Sequence, residues 1–204
     1  MLNRYIYEDK TLEKAFEKFY KEHNLTKEDI LYTEKVEKTG LLKTNKTILE
    51  IILKDDLRQL IVSTINNISI GTGINIEYKI NIEPEVINIE CSSDNSAALI
   101  GKNGKMLNSL QLLLRKIVEV NTNLNIRINL DIEDYKKRKI NSLEREVKKL
   151  IKEVLATKID IKLDPMNSYE RRIVHNLVSN YEELTTESEG ESPNRYVVIK
   201  YREK

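Results

Sequence analysis

The sequence predicts an α+β protein organised as three small domains, and three observations predict it. Stretches of strict apolar alternation and stretches of helical spacing follow one another in the orders β-α-β-β, α-β-β-α-α-β and α-β-α-β-β. At 204 residues the chain has room for two or three small cores, each near the lower size limit for independent folding. Charge is segregated along the chain, basic in the middle and in the stretch that follows, and acidic near the C-terminal end. The boundaries fall at residues 1–54, 55–132 and 133–204.

In the first domain, Leu2 to Tyr7 is a strand candidate. Thr11 is placed to cap a helix whose apolar face is Leu12, Ala15, Phe16 and Phe19. Ile30 to Val36 and Thr47 to Leu53 are rich in β-branched and aromatic residues, and Gly40 marks the turn between them. His23 stands alone and reads as a surface histidine at a helix end.

The second domain opens with Asp55, a candidate cap for a helix carrying Leu57, Leu60, Ile61, Ile65 and Ile68 on one face and ended by Gly71-Thr72-Gly73. Ile74, Ile76, Tyr78, Ile80 and Ile82 alternate as a half-buried strand does. Pro84 interrupts, and Ile87, Ile89 and Cys91 alternate again, which predicts a hairpin. Cys91 has inward parity and reads as a packed small apolar residue, not a nucleophile. A short helix over Asn95 to Ile100 leads into Gly101-Lys102-Asn103-Gly104. A longer helix follows, with Met106, Leu107, Leu110, Leu114, Ile117 and Val118 on one side, and Leu124 to Ile132 closes the domain as a third strand.

The third domain begins with a long amphipathic helix near Glu133 to Lys158. A brief strand, Ile159 to Leu163, precedes a second helix from about Asn167 to Asn180. Strands near Leu184 to Glu187 and Tyr196 to Tyr201 flank a turn-rich stretch over residues 188–194.

Composition bounds the function. Apolar residues make up 40% of the chain and charged residues 33%, and no apolar run approaches the roughly 18 residues of a membrane span. The N-terminal stretch does not read as a secretion signal, and a single cysteine excludes an intrachain disulfide and suits a reducing compartment, so the cytoplasm is expected. Net charge is only +1, but between Asn95 and Leu130 five basic residues (Lys102, Lys105, Arg115, Lys116, Arg127) face one acid, Glu119. The run Lys136-Lys137-Arg138-Lys139 is also basic, although a solvated helix face is the ordinary reading of such a run.

Glycine has no Cβ, so in Gly101-Lys102-Asn103-Gly104 the backbone can turn sharply between helices and let a sugar-phosphate chain approach. Lys102 adds a point charge, and the following helix turns its N–H groups and positive dipole end outward. Lys105 in that first turn opposes the dipole, a mild cost that an anion at the site would offset. The string fails the Walker A pattern, since the required glycine and hydroxyl positions hold Ser96 and Asn103, or Leu99 and Met106. Over residues 55–132 the chain resembles type II KH domains in element order and loop. The resemblance implies RNA contact from Gly101, Lys102, Asn103, Gly104 and Lys105, with Ile100 and Leu107 near the groove that takes the bases.

Arg171 and His175 lie four residues apart on a helix and leave one face, a pairing of guanidinium and imidazole that suits a phosphate. With the flanking Asp164 to Arg172 and Ser188 to Arg195 segments, this resembles the domain family named for its arginine–three residues–histidine spacing, the RxxxH domain, whose members bind single-stranded nucleic acid. The resemblance implies contact from Arg171 and His175, with Arg172 and Arg195 beside them. Glu187, Glu189 and Glu191 are expected to screen Arg171 and Arg195. Two histidines and one cysteine in different domains make neither a zinc site nor a nucleophile pair, so no catalytic residue, metal or cofactor is expected.

Taken together, the chain is similar to the bacterial Jag family, also called KhpB. It departs from that family in carrying Lys38-Thr39-Gly40-Leu41-Leu42-Lys43 where relatives show Lys-Lys-Gly-Phe-Leu-Gly, and Ser168 where a proline is usual. Membership implies a single-stranded RNA binder acting in cell elongation or division, often with a smaller KH protein as partner. The sequence leaves open single-stranded DNA as the ligand, a protein adaptor role and a homo-oligomer.

Overall fold

The computed structural model describes residues 2–39 and 44–202, which form two compact units, residues 1–133 and 134–204. The first unit begins with β1 (Tyr5–Asp9), α1 (Leu12–Glu22), β2 (Ile30–Thr39) and β3 (Thr44–Leu53), whose strands make an antiparallel sheet ordered β1-β3-β2. Thr11 caps α1, its hydroxyl oxygen accepting from the Lys14 N–H at 3.4 Å. The helix sets Ala15 and Phe19 against Ile30, Leu49 and Ile51, with Tyr5 and Tyr7 edge-on to Phe19. His23 differs from the surface residue expected: its ring lies 4.7 Å from that of Tyr5 and 4.8 Å from that of Phe19, so it completes this aromatic cluster. The turn expected at Gly40 and most of the 38–43 run lie outside the described residues.

The chain passes from β3 into α2 (Lys54–Thr72) without a loop. Leu53, still extended, occupies the cap position, so Asp55 is not the cap but sits in the first turn and accepts from Gln59 at 3.1 Å. Leu31 and Ile52 are buried on the sheet face opposite α1, and Arg4 donates twice to the Asn121 carbonyl of a later helix, at 3.2 and 2.9 Å. Covered on both faces, the N-terminal sheet packs with the segment that follows into one compact unit.

That segment continues with β4 (Ile76–Ile82), β5 (Val86–Ser93), α3 (Ser96–Ile100), α4 (Lys105–Thr122) and β6 (Arg127–Ile132), the element order expected. The sheet runs β4-β5-β6, with an antiparallel hairpin and then a parallel pair. Its inner face, including Cys91, Leu130 and Ile132, meets Ile65, Leu99, Leu110 and Leu114 from the helices. Burial pushes the Cys91 thiol up to about 11, consistent with a packing role.

In the second unit, α5 (Tyr135–Thr157), β7 (Ile161–Lys162), α6 (Ser168–Val178), β8 (Leu184–Glu189) and β9 (Tyr196–Tyr201) form an antiparallel sheet ordered β7-β9-β8 with two helices. The core joins Val147, Ile151 and Val154 of α5 to Val174 and Val178 of α6 and to Val197 and Ile199 of β9. The expected strand over residues 159–163 shrinks to two residues because the Asp160 carboxylate, not a strand carbonyl, accepts the Tyr201 N–H at 3.0 Å. Asn167 and Glu170 form a reciprocal capping box at 3.0 Å in each direction, so α6 starts cleanly with Ser168 in the place usual for proline. Glu170 is 5% exposed and also takes Lys139 at 2.6 Å, which ties α5 to α6 and turns one lysine of the basic run away from any ligand. No helix among the described residues is long and apolar enough to cross a membrane.

Ile151 lies fully inside the second core, so Ile151→Ala should cost about 2–5 kcal/mol. Hydrogen exchange should quicken at amides of α5, α6 and β9 and stay unchanged in β4–β6; uniform quickening along the chain would contradict two separable cores.

Candidate nucleic-acid interface

The short helix α3 is capped by Asn95 and ends when the Gly101 N–H donates to Ala97 O at 2.9 Å. The backbone then turns through three left-handed residues in four positions, Gly101 at φ 67°, Asn103 at φ 56° and Gly104 at φ 79°. A Gly104 N–H to Gly101 O bond of 3.1 Å closes the turn. Glycine is required twice over at 101, since a Cβ there would lie 2.8 Å from the Met106 Cβ and 3.1 Å from the Met106 nitrogen. Asparagine tolerates its left-handed conformation better than most residues. Lys102, Asn103 and Lys105 are exposed around the start of α4, whose first turn, among the described residues, carries no acid and no side-chain cap. The Lys105 N–H donates back to Lys102 O, so the start of α4 is closed by backbone alone, and two ammonium groups share its exposed corner, an arrangement suited to an anion.

Two expectations change here. Leu107, placed near the groove, is only 1% exposed and backs the loop from the core, whereas Ile100 is half-buried. Met106, assigned to the core face, is 48% exposed, because it lies one position off the inward stripe of Leu107, Leu114 and Val118.

Farther along α4, Gln111 Oε1 accepts the Leu130 N–H of the edge strand β6 at 3.1 Å. Gln111 and Arg115, one helical turn apart, join Asn125, Arg127 and Ile128 in lining an open cleft of about 490 Å³. In the sequence Arg115 and Arg127 count only as charges, with no place in a site. The i, i+4 relation of Arg115 to Gln111 on α4 was the available signal.

In the second unit, Arg171 donates to Met166 O at 2.8 Å, and the Met166 N–H donates to Arg195 O at 3.0 Å. Met166 thereby holds the Arg171 guanidinium and the Arg195 backbone in one place, with Arg172 and the Arg195 side chain exposed beside them. One turn on, His175 is half-buried with both ring nitrogens engaged: Nδ1 lies 2.6 Å from Thr186 Oγ1 and Nε2 2.9 Å from Ser188 Oγ. Neither hydroxyl was singled out in the sequence, where Ser188 falls in a turn; β8 instead runs on to Glu189 and places Thr186 and Ser188 on the face toward α6. A serine, a histidine and a third group in hydrogen-bond reach suggest a nucleophile triad, but the third group is a hydroxyl, which cannot hold an imidazolium as a carboxylate does.

Two of the three acids expected to screen the arginines are engaged elsewhere. Glu187 and Glu189 alternate onto the opposite sheet face and pair with Lys200 at 2.5 and 3.4 Å, while Tyr196 also donates to Glu189. Burial first, and then the charge of Arg171, lowers the His175 pKa below its ordinary 6.5. The unfolded chain thus binds the proton more readily, so the stability His175 contributes is full above the ordinary value and is lost as pH falls through the lowered one. Thermal unfolding of the second unit should shift downward between about pH 7 and pH 5, and His175→Gln should flatten that dependence; an unchanged slope in the variant would assign it to other groups.

The KH-domain model of the KhpA/KhpB family matches residues 58–132, and the model of the arginine–three residues–histidine domain, the RxxxH domain, matches residues 141–201. RNA-binding protein KhpB of Clostridium symbiosum is 35% identical over 147 residues, 72% of this chain and 65% of that protein. The proteins of that name from Lactiplantibacillus plantarum and Bacillus subtilis are 31% identical over 130 residues and 32% over 120, covering 64% and 58% of this chain and 40% and 58% of theirs. The matched region thus spans under two thirds of each of these relatives. With a KhpA/KhpB-type KH domain followed directly by an RxxxH domain, the chain belongs to the Jag/KhpB family.

Proposed function

We propose that this protein is a cytoplasmic, non-enzymatic regulator that binds single-stranded RNA through two separate contacts, the Gly101–Gly104 loop and the Arg171/His175 helix, with Arg172 and Arg195 beside the latter. The carrying observation is the loop: left-handed backbone that only glycine at 101 can hold, two exposed lysines and an uncapped helix start. The names of the KhpB relatives support RNA as ligand. The cleft at Gln111, Arg115 and Arg127 offers the strand a continuation along β6. A role in cell elongation or division follows from the family resemblance.

A second reading, as an adaptor for a smaller KH protein or a second copy, is favoured by one observation. Met106, Leu113 and Val120 repeat every seven residues on α4 and are 48%, 44% and 73% exposed. A stripe of that spacing on a helix suits another helix.

Lys102→Asp with Lys105→Asp should weaken binding of a short single strand at least tenfold. It should also flatten the salt dependence by a slope of about 1.4, at roughly 0.7 per lost phosphate contact. Unchanged affinity with an unchanged melting curve would remove the loop from the interface. Leu113→Glu with Val120→Glu should leave RNA affinity intact and abolish nuclease-resistant capture of a KH partner; retained capture would dismiss the adaptor surface.

A further inference from the structure

Resting on the reading that the Arg171 helix meets RNA, we propose that His175 is a positioning residue and not a phosphate ligand: it aims the Ser188 hydroxyl so that Arg171 and Ser188 together take the phosphate. A neutral imidazole has one N–H donor and one acceptor nitrogen. Flanked by two hydroxyls, it must accept from one and donate to the other. Both contacts, 2.6 Å from Nδ1 to Thr186 Oγ1 and 2.9 Å from Nε2 to Ser188 Oγ, are within hydrogen-bond reach. The proposal assigns the order Thr186 O–H to Nδ1, then Nε2–H to Ser188 Oγ. Ser188 accepts from the ring and keeps its own proton to donate onward.

Geometry supports the division of labour. With both nitrogens occupied, His175 has no donor left for a ligand unless it abandons β8. Arg171, by contrast, commits one nitrogen to Met166 O and has further N–H groups on the same guanidinium. Ser188 is half-buried on the β8 face toward α6, near the end of the strand that leads to Arg195. The sheet carries its acids, Glu187 and Glu189, on the other face with Lys200, which leaves the α6 side to the arginines and the hydroxyls.

The test compares Arg171→Ala, His175→Ala, His175→Gln and Ser188→Ala in the full chain, titrated with a short unstructured single-stranded RNA, with melting curves as the fold control. Glutamine places an amide donor near the position of Nε2 without any charge. The proposal expects Ser188→Ala and His175→Ala each to lose about fivefold in affinity, the order of one net hydrogen bond. His175→Gln should remain within about twofold of the parent on the same scale, and nitrogen NMR should show the Nε2–H tautomer of His175. If Arg171→Ala weakens binding while Ser188→Ala does not, or if His175→Gln is as damaging as His175→Ala, the positioning role is overturned and the two-contact reading stands. If Arg171→Ala has no effect, the contact at this helix fails, and the present proposal with it.

Discussion

The backbone at Gly101 constrains more of the candidate interface than any other position. Its backbone, at φ 67° and ψ 175°, is in a region essentially reserved for glycine that would cost an ordinary residue roughly 1–3 kcal/mol, and the Met106 Cβ fills the space where a side chain would begin. Because the turn is that tight, α4 starts within a few residues of the end of α3. Leu107 then falls on the inward stripe, Met106 lies one position off it, and Lys102 and Lys105 are set around the start of the helix. A looser connection would allow a side-chain cap over its first N–H groups, and the anion-binding character of the corner would be lost to the protein's own atoms.

The second candidate site is built on the opposite principle. Its Arg171 and His175 sit in regular helix. Arg171 and His175 are fixed by neighbours from other elements, the Met166 carbonyl and the two β8 hydroxyls. Strand alternation then separates signs of charge, sending the glutamates of β8 to Lys200 on the far face. A chain of net charge +1 can in this way present locally basic corners without a basic composition. The lysine run at the start of α5, the most conspicuous basic feature of the sequence, contributes less than its count suggests, since Lys139 is held by the buried Glu170.

Much of the fold was legible because it follows from local spacing. Alternation located β4, β5 and β6, helical spacing located α2, α4 and α5, and Thr11 announced the helix start it caps. Family resemblance, carried by Gly101–Gly104 and by Arg171 with His175, supplied the architecture of both binding domains. The misplacements differ in cause. Leu107 shares the inward stripe of Leu114 and Val118 at i, i+7 and i+11, and Met106 lies one position off it. His23 packs on the aromatic cluster because Tyr5, far earlier in the chain, is brought to it by the sheet.

The sequence by itself determined which segments are helices and strands, their order, and which residue types could meet RNA, because those properties depend on neighbours within a few positions. Tertiary structure alone decided that the N-terminal sheet and the KH domain are one unit and that Gln111 covers the edge of β6. It also decided that His175 spends both nitrogens on Thr186 and Ser188. Each of these rests on hydrogen bonds or burial between residues well separated along the chain, whose register emerges only when the sheets close on their helices.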